Sequence, residues 1–370
     1  MRQGHECRLI ALHDRNLACG EISETALPGG IPVLRFPAAL PWPEAARKVE
    51  EYHSRFAPDW ISLQFVPYGF HDKGIVWKAI PYLERMTAGA RLQIMFHELW
   101  LGEAVNAPLK HRLVGAVQRL CILRMLRLLK PDPVATSNPI YQAILEKNGI
   151  RAMLLPLFGN IPVVEPASQF PAELAQAGVP ADPGERSGFW ICLLFGVLLP
   201  GWKPEPLLGI LRRASELAGK RVCIVSVGRL GGAGEGIWAE MSRGDASDFR
   251  FIKLGQQPVA TVSHLMQTAD FAVAGSPLQL IGKSSSVASL LDHGLPVIVN
   301  MDDWRARMQP KSRPPQDPLV HPLDGQLEAN LAKGLKKRKP CPALPRVAAE
   351  FLRSLSASPF RVYDSLPLEA

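Results

Sequence analysis

The run Gly282-Lys283-Ser284-Ser285-Ser286 gathers the groups that hold an anion: a glycine, an ammonium and three hydroxyls. It follows the strand-like segment Asp270 to Ala274 and the pair Ser276-Pro277, and it leads into a helical pattern from Val287 to His293 that Gly294 ends. At such a helix start the unbonded N–H groups and the positive dipole end favour a phosphate, and Lys283 adds a full charge. A diphosphate suits this order of strand, loop, helix and strand. The alternative is that the serines only cap the helix and Lys283 is a solvated charge. A Walker A loop is disfavoured, because the position five residues before Gly282 is Pro277 and not glycine. Gly234, Gly236 and Ala239 match a dinucleotide-type spacing, but they lie too far beyond the strand ending at Val227 for a tight turn.

Two further positions invite a chemical reading. His97 and Glu98 stand directly after the apolar run Arg91 to Phe96. A histidine there either meets a substrate or is a buried, hydrogen-bonded group whose tautomer Glu98 sets. Lys203, between Trp202 and Pro204, is a loop cation, and His71-Asp72-Lys73 reads as a solvated turn.

The elements that must position these residues alternate between short β-rich runs and helical patterns, which predicts βαβ units and parallel sheets. The first series is Cys7 to Leu12, Ile31 to Phe36, Asp59 to Phe65, Arg91 to Phe96 and Val134 to Ser137. The second is Phe189 to Phe195, Arg221 to Val227, Phe251 to Leu254, Asp270 to Ala274 and Pro296 to Asn300, with helices over Pro204 to Ala218 and Val287 to His293. Between them lies a stretch rich in Pro, Gly and Ala. The expected division is therefore a domain over 1–160, a linker over 161–187, a second domain over 188–335, and a basic segment with a terminal helix over 336–370. Beyond Asp302 only Val347 to Leu355 reads as helical.

A length of 370 residues suits two such domains, and 47% hydrophobic with 21% charged residues is a globular composition. The longest apolar run, Phe189 to Leu199, is too short to span a bilayer, and the first residues lack a signal peptide's apolar stretch. A cytoplasmic location is expected. Six cysteines without a C-x-x-C pair suggest reduced thiols, so neither zinc nor disulfides are expected. The charge of +8 suits anionic partners. No nucleic-acid module is recognised, which ranks that class last. The segment Leu109 to Lys130 predicts one basic helix, with Arg112, Arg119 and Lys130 near one line and Arg127 beside them. It is either a partly buried helix with a solvated stripe or a peripheral contact with an anionic inner membrane face.

The order of short motifs resembles the retaining, family-four-like group of GT-B glycosyltransferases over nearly the whole chain. In the C-terminal half these are Phe195-Gly196 with Gly201-Trp202-Lys203, then Leu254-Gly255-Gln256, Ala269-Asp270 and Leu291-Asp292-His293-Gly294-Leu295-Pro296-Val297. In the N-terminal half they are Pro58 to Gln64, Phe96-His97-Glu98 and Ala135-Thr136-Ser137. The resemblance implies two Rossmann-like, doubly wound α/β domains facing a cleft. It also implies metal-independent transfer of a sugar from a nucleotide-sugar donor, which enters as substrate, so that no cofactor is expected. The acceptor would be a glycan or a lipid-linked molecule.

By that resemblance His97 and Lys283 are the catalytic candidates. Gly196, Lys203, Leu254, Gly255, Gln256, Gly282, Ser284, Ser285 and Ser286 are the donor-binding ones. Two departures stand out. Where the family carries a pair of glutamates, this chain has Ile281 and Ser289. A binding protein without turnover is therefore the alternative function. The segment Gly4 to Ile10 resembles the family's second strand, so the first strand is expected to be missing and Met1 to be internal to a longer gene product.

Overall fold

The computed structural model describes residues 4–18, 21–27, 29–167, 169–244, 248–301, 304–310 and 316–356. The expectations placed on Met1, Cys19, Asp302 and the tail from 357 onward lie outside these residues. The chain divides into two compact units, one running to Thr136 and adding Ile144–Met153, the other made of Ser137–Ala143 and Leu154–Ser356.

The first unit holds two sheets. Strands β1 (Leu9–Asp14), β2 (Ser23–Leu27) and β3 (Ile31–Pro37) form one, in the order β1-β3-β2. Strands β4 (Trp60–Phe65), β5 (Arg91–Phe96), β6 (Val134–Thr136) and β7 (Met153–Leu154) form the other, in chain order. The β1–β3, β4–β5 and β5–β6 pairs are parallel, whereas β2 runs antiparallel to β3. Strand β2 escapes the sequence pattern because four of its five residues are exposed, which leaves no apolar alternation to detect. Among the described residues β1 and β4 are both sheet edges. They line a common cavity of about 160 Å³, floored by Val49, Tyr52, Leu83 and Met86 from the helices Trp42–Phe56 and Ile80–Thr87. The Arg8 guanidinium lies in this region, 4.3 Å from the centroid of the Phe56 ring, and its Nε is buried without a hydrogen-bond partner.

The second unit is a six-stranded sheet of β8 (Phe189–Phe195), β9 (Arg221–Val227), β10 (Phe249–Gly255), β11 (Phe271–Ala274), β12 (Val297–Val299) and β13 (Val320–Pro322). The order is β10-β9-β8-β11-β12-β13, and every pair is parallel. That is the 3-2-1-4-5-6 order of a doubly wound nucleotide-binding sheet. Both faces are covered, so the central strands are apolar at nearly every position. Ile191 and Leu193 of β8 enter one core with Val287 and Leu290, while Trp190, Cys192 and Leu194 enter the other with Leu211 and Trp238. Burial pushes the Cys192 thiol pKa far up, so it behaves as a small apolar group.

Several expectations change. Residues 161–187, read as a linker, carry the short helices Ala172–Gln176 and Pro183–Arg186, and Leu174 and Val179 are buried in the core of the second unit. Arg186 pairs with Asp270 at 2.7 Å, fixing this stretch to the start of β11. The Gly234-x-Gly236 match lies inside the helix Gly231–Gly244 and makes no turn. Beyond Asp302 the chain also forms β13 and the helix Leu327–Lys333, and the terminal helix extends over Leu344–Ser356. The basic segment is docked there: the Lys337 ammonium donates to the carbonyl of Gln267 and, at 2.8 Å, to that of Ala269, at the end of the helix Val259–Thr268. Desolvation lowers the Lys337 pKa.

Candidate functional site

In a sheet of this order the crevice lies beyond the carboxyl ends of the strands, where the order reverses. Here that point is between β8 and β11. Strand β8 runs out into Gly196 at φ +85, whose N–H donates to the Val227 carbonyl at 3.0 Å. Strand β9 runs out into Gly228 at φ +88, whose N–H donates to the Gly255 carbonyl at 2.7 Å, and Gly255 itself has φ +65. Three neighbouring strands thus end in left-handed glycines, which keeps side chains off their rim. After β11, Gly275 lets the loop from β8 pass, since a Cβ there would sit 2.4 Å from the Val197 carbonyl oxygen. That loop is also held by Trp202, whose Nε1 donates to the Ala274 carbonyl at 3.2 Å.

The helix following β11 begins at Ser285 and ends at Asp292. Ser284 is its N-cap, accepting from the Val287 N–H at 3.3 Å. Ser285 is exposed, and Ser286 is half-buried. A Cβ built on Gly196 would lie 3.0 Å from the Ser286 Oγ, so the helix start and the end of β8 meet at the reversal point. Lys283 closes the preceding 3₁₀ turn Leu278–Lys283 and is half-buried. Its ammonium donates to the Tyr141 hydroxyl at 3.3 Å and lies 5.6 Å from that ring's centroid. Gly282 packs on the chain before it, where a Cβ would approach the Ser137 carbonyl oxygen to 2.8 Å. The arrangement offers an anion N–H groups, a hydroxyl and a glycine rim, with a cation on the same turn.

The remaining candidates occupy the same rim. The Leu254 carbonyl accepts from Gln257 Nε2 at 2.8 Å, and Gln256 is exposed. Lys203 is exposed, while its backbone carbonyl is bonded by the Asn300 side chain at the end of β12.

The two positions without the expected carboxylates are structural. Ile281 packs against the core. Ser289 is fully buried: its Oγ accepts from the Asn160 N–H at 3.0 Å and the Ile161 N–H at 3.3 Å. Asp292 accepts from the Gly159 N–H at 2.9 Å. His293 bridges the Ser289 carbonyl through Nδ1 at 2.7 Å and the Ser263 hydroxyl through Nε2 at 2.8 Å. Burial lowers the His293 pKa. This polar seam, missed in the sequence, fastens residues 159–164 to the helices Ser285–Asp292 and Val259–Thr268 and so holds the first of them in place. The spacing of Ser289 and His293, four residues apart, is the one trace of it in the sequence.

In the first unit, His97 follows β5 and donates from its backbone N–H to the Phe65 carbonyl at 3.1 Å. Its Nε2 is 2.8 Å from Gln64 Oε1. Gln64 Nε2 donates to Ser62 Oγ at 2.7 Å, and Ser62 Oγ to Gln93 Oε1 at 2.5 Å. Because the Gln64 amide nitrogen is already donating, its oxygen faces His97 and selects the Nε2–H tautomer. The sequence assigns that orienting role to Glu98; the structure gives Gln64 a part in it.

No protein-family model and no curated protein matches this chain. Among solved structures it is similar to the catalytic domain of starch synthase IV from Arabidopsis thaliana bound to ADP and acarbose, at 12% identity and TM-score 0.49, over 96% of this chain and 93% of that one. It is similar to UDP-GlcNAc 2-epimerase from Methanocaldococcus jannaschii at 11% identity and TM-score 0.48, over 89% and 86% of the two chains. A glycosyltransferase from Rickettsia africae is 13% identical with TM-score 0.48, over 86% and 76%. Likeness at this level transfers neither substrate nor reaction. The α/β, Rossmann-like architecture stands on the strand order of this chain itself.

Proposed function

We propose that this chain is a GT-B-type glycosyltransferase that holds the diphosphate of a nucleotide-sugar donor at the reversal point of its second unit. The observation that carries this reading is the meeting of the Ser286 hydroxyl, the helix start at Ser285 and the bare end of β8 at Gly196. In the reaction the bond between the anomeric carbon and the phosphate oxygen breaks, and its electron pair leaves with the nucleotide diphosphate. An acceptor hydroxyl forms the new bond, and its proton passes to the departing phosphate. Negative charge grows on the diphosphate as this happens, so fixed N–H dipoles and the Lys283 ammonium lower the barrier without covalent participation. Gly282, Ser284 and Ser285 shape the helix entry, Leu254, Gly255 and Gln256 offer main-chain groups to the base, and Lys203 adds an exposed cation. His97 is the first unit's candidate for meeting the sugar or the acceptor. Retention of configuration and independence of metal follow the family-four-like resemblance.

A second reading, a nucleotide-sugar-binding protein without turnover, is favoured by Ile281 and the buried Ser289, neither of which presents a carboxylate. Thermal-shift titration with UDP, GDP and ADP, followed by a donor-hydrolysis assay with the matching nucleotide sugars, separates the two. Stabilisation with turnover supports the transferase, and stabilisation without it supports the binder. A chain that no nucleotide diphosphate stabilises refutes both.

A further inference from the structure

The helix Leu109–Leu129 of the first unit buries one largely apolar face and carries a second set of apolar residues on its outside. Its inner face is fixed by close packing. A Cβ on Gly115 would lie 2.0 Å from the Leu101 carbonyl oxygen, so the chain before the helix runs directly against it. Gln118 is fully buried, donating to the Lys73 carbonyl at 2.7 Å and accepting from the Leu101 N–H at 2.8 Å. Cys121, Ile122, Met125 and Leu126 complete the buried face. The opposite face is therefore committed to the outside. On it Leu109 is 72% exposed, Leu113 62%, Val117 46%, Leu120 47% and Leu128 38%. At about 100° per residue these five fall within roughly 100° of arc along a helix about 30 Å long, an arc that Arg124 and Arg127 also enter. Trp77, 49% exposed, stands beside it with the Arg124 guanidinium 4.9 Å from its ring centroid.

The charges around the stripe have one sign. Between Leu109 and Lys130 there are six Lys and Arg residues and no Asp or Glu. Lys110 lies at one border of the stripe, Arg112, Arg119 and Lys130 lie beyond the other, and Arg124 and Arg127 lie within it. An apolar stripe with arginines within and cations along its borders, beside an exposed tryptophan, fits the boundary between headgroups and acyl chains, where long cationic side chains reach up to the headgroups. It does not fit a symmetric pairing of two such helices, which would bring the same cations face to face. We propose that this face of the first unit seats the protein on an anionic lipid bilayer, the helix lying flat with Leu113 and Leu120 at the centre of the contact. The proposal is independent of the activity assigned to the second unit.

The test is sedimentation of the full chain with vesicles of phosphatidylcholine and phosphatidylglycerol, against vesicles of phosphatidylcholine alone. The anionic vesicles should carry the protein down, the neutral ones should retain far less, and added salt should release it. Lys110→Glu with Arg119→Glu should weaken binding about tenfold or more. Leu113→Asn with Leu120→Asn should do the same without altering the salt dependence. Both pairs are on exposed positions, and unchanged circular dichroism melts confirm that the variants fold. Failure of the anionic vesicles to bind the wild-type chain at low salt overturns the proposal, as does equal binding by all variants. A concentration-dependent dimer that Leu113→Asn with Leu120→Asn abolishes, in the absence of vesicle binding, assigns the stripe to self-association instead.

Discussion

Replacing Gly196 by alanine probes the reversal point directly. The residue has φ +85, and the new methyl group would stand 3.0 Å from the Ser286 Oγ, a contact that the hydroxyl must relieve by a few tenths of an ångström. A side chain in this backbone region costs roughly 1 to 3 kcal/mol. For a unit of this size each kcal/mol is worth about 2 to 4 °C in melting temperature, so Gly196→Ala should melt lower by roughly 2 to 12 °C. Its effect on binding is separate. If Ser286 donates to a phosphate oxygen, losing that bond to a charged group costs about 1.5 to 3 kcal/mol, or roughly 10- to 150-fold in Kd. Ser286→Ala should show that loss while keeping the wild-type melting temperature within a few degrees, and Gly196→Ala should show a similar loss by displacing the hydroxyl. Because both act through one group, the double variant should bind no worse than about threefold below either single one. Calorimetric titration with the nucleoside diphosphate that stabilises the wild-type chain reads all three. A Kd for Ser286→Ala within twofold of wild type would refute the placement of the diphosphate.

Other outcomes follow from the same geometry. Lys283→Met should weaken diphosphate binding about tenfold or more, whereas Tyr141→Phe, which removes one neutral partner of the ammonium, should change it by less than about fivefold; the same titration compares them. Restoring a family-like acid with Ser289→Glu should destabilise the second unit by about 3 kcal/mol or more, because the longer, charged side chain enters a fully buried site already bonded to Asn160 and Ile161; urea unfolding measures this. Burial holds the His293 pKa below its ordinary 6.5, so the unfolded chain takes up that proton first as pH falls. Stability present above about pH 6.5 should therefore decline as pH drops through and below that value, until the folded-state pKa is reached, and His293→Gln should flatten the dependence in thermal melts between pH 7.5 and pH 5.5. Loss of stability on raising pH instead would contradict the sign.

The second unit was the more legible in the sequence, for a physical reason. Strands covered on both faces must be apolar throughout, and Phe189 to Phe195 and Arg221 to Val227 appear in the structure with the bounds their composition marks. The helix Gly231–Gly244 was hidden by the four glycines among its first six residues, which look like a turn. At Gly234 the reason is close approach, since a Cβ would meet Leu230 at 3.1 Å and Leu198 at 3.2 Å. Pattern alone could place the order of strand, loop and helix, with the helix read from Val287; in the structure it begins two residues earlier, at Ser285. The site was illegible where it depends on tertiary partners. Nothing along the sequence joins Lys283 to Tyr141, 142 residues earlier, or shows that Ser289 binds the backbone at Asn160. Gly228 carried the same signal as Gly196, a glycine directly after a buried strand, and belongs to the same rim.

The two bare sheet margins at β1 and β4 bear on how the protein comes apart. Among the described residues each leaves one side without a ladder partner, and the two line one cavity. Local fluctuations there sacrifice few contacts, so deuterium should enter β1 and β4 far sooner than β8 and β9, which are bordered on both sides. Sticky margins of this kind are where separate molecules begin to aggregate.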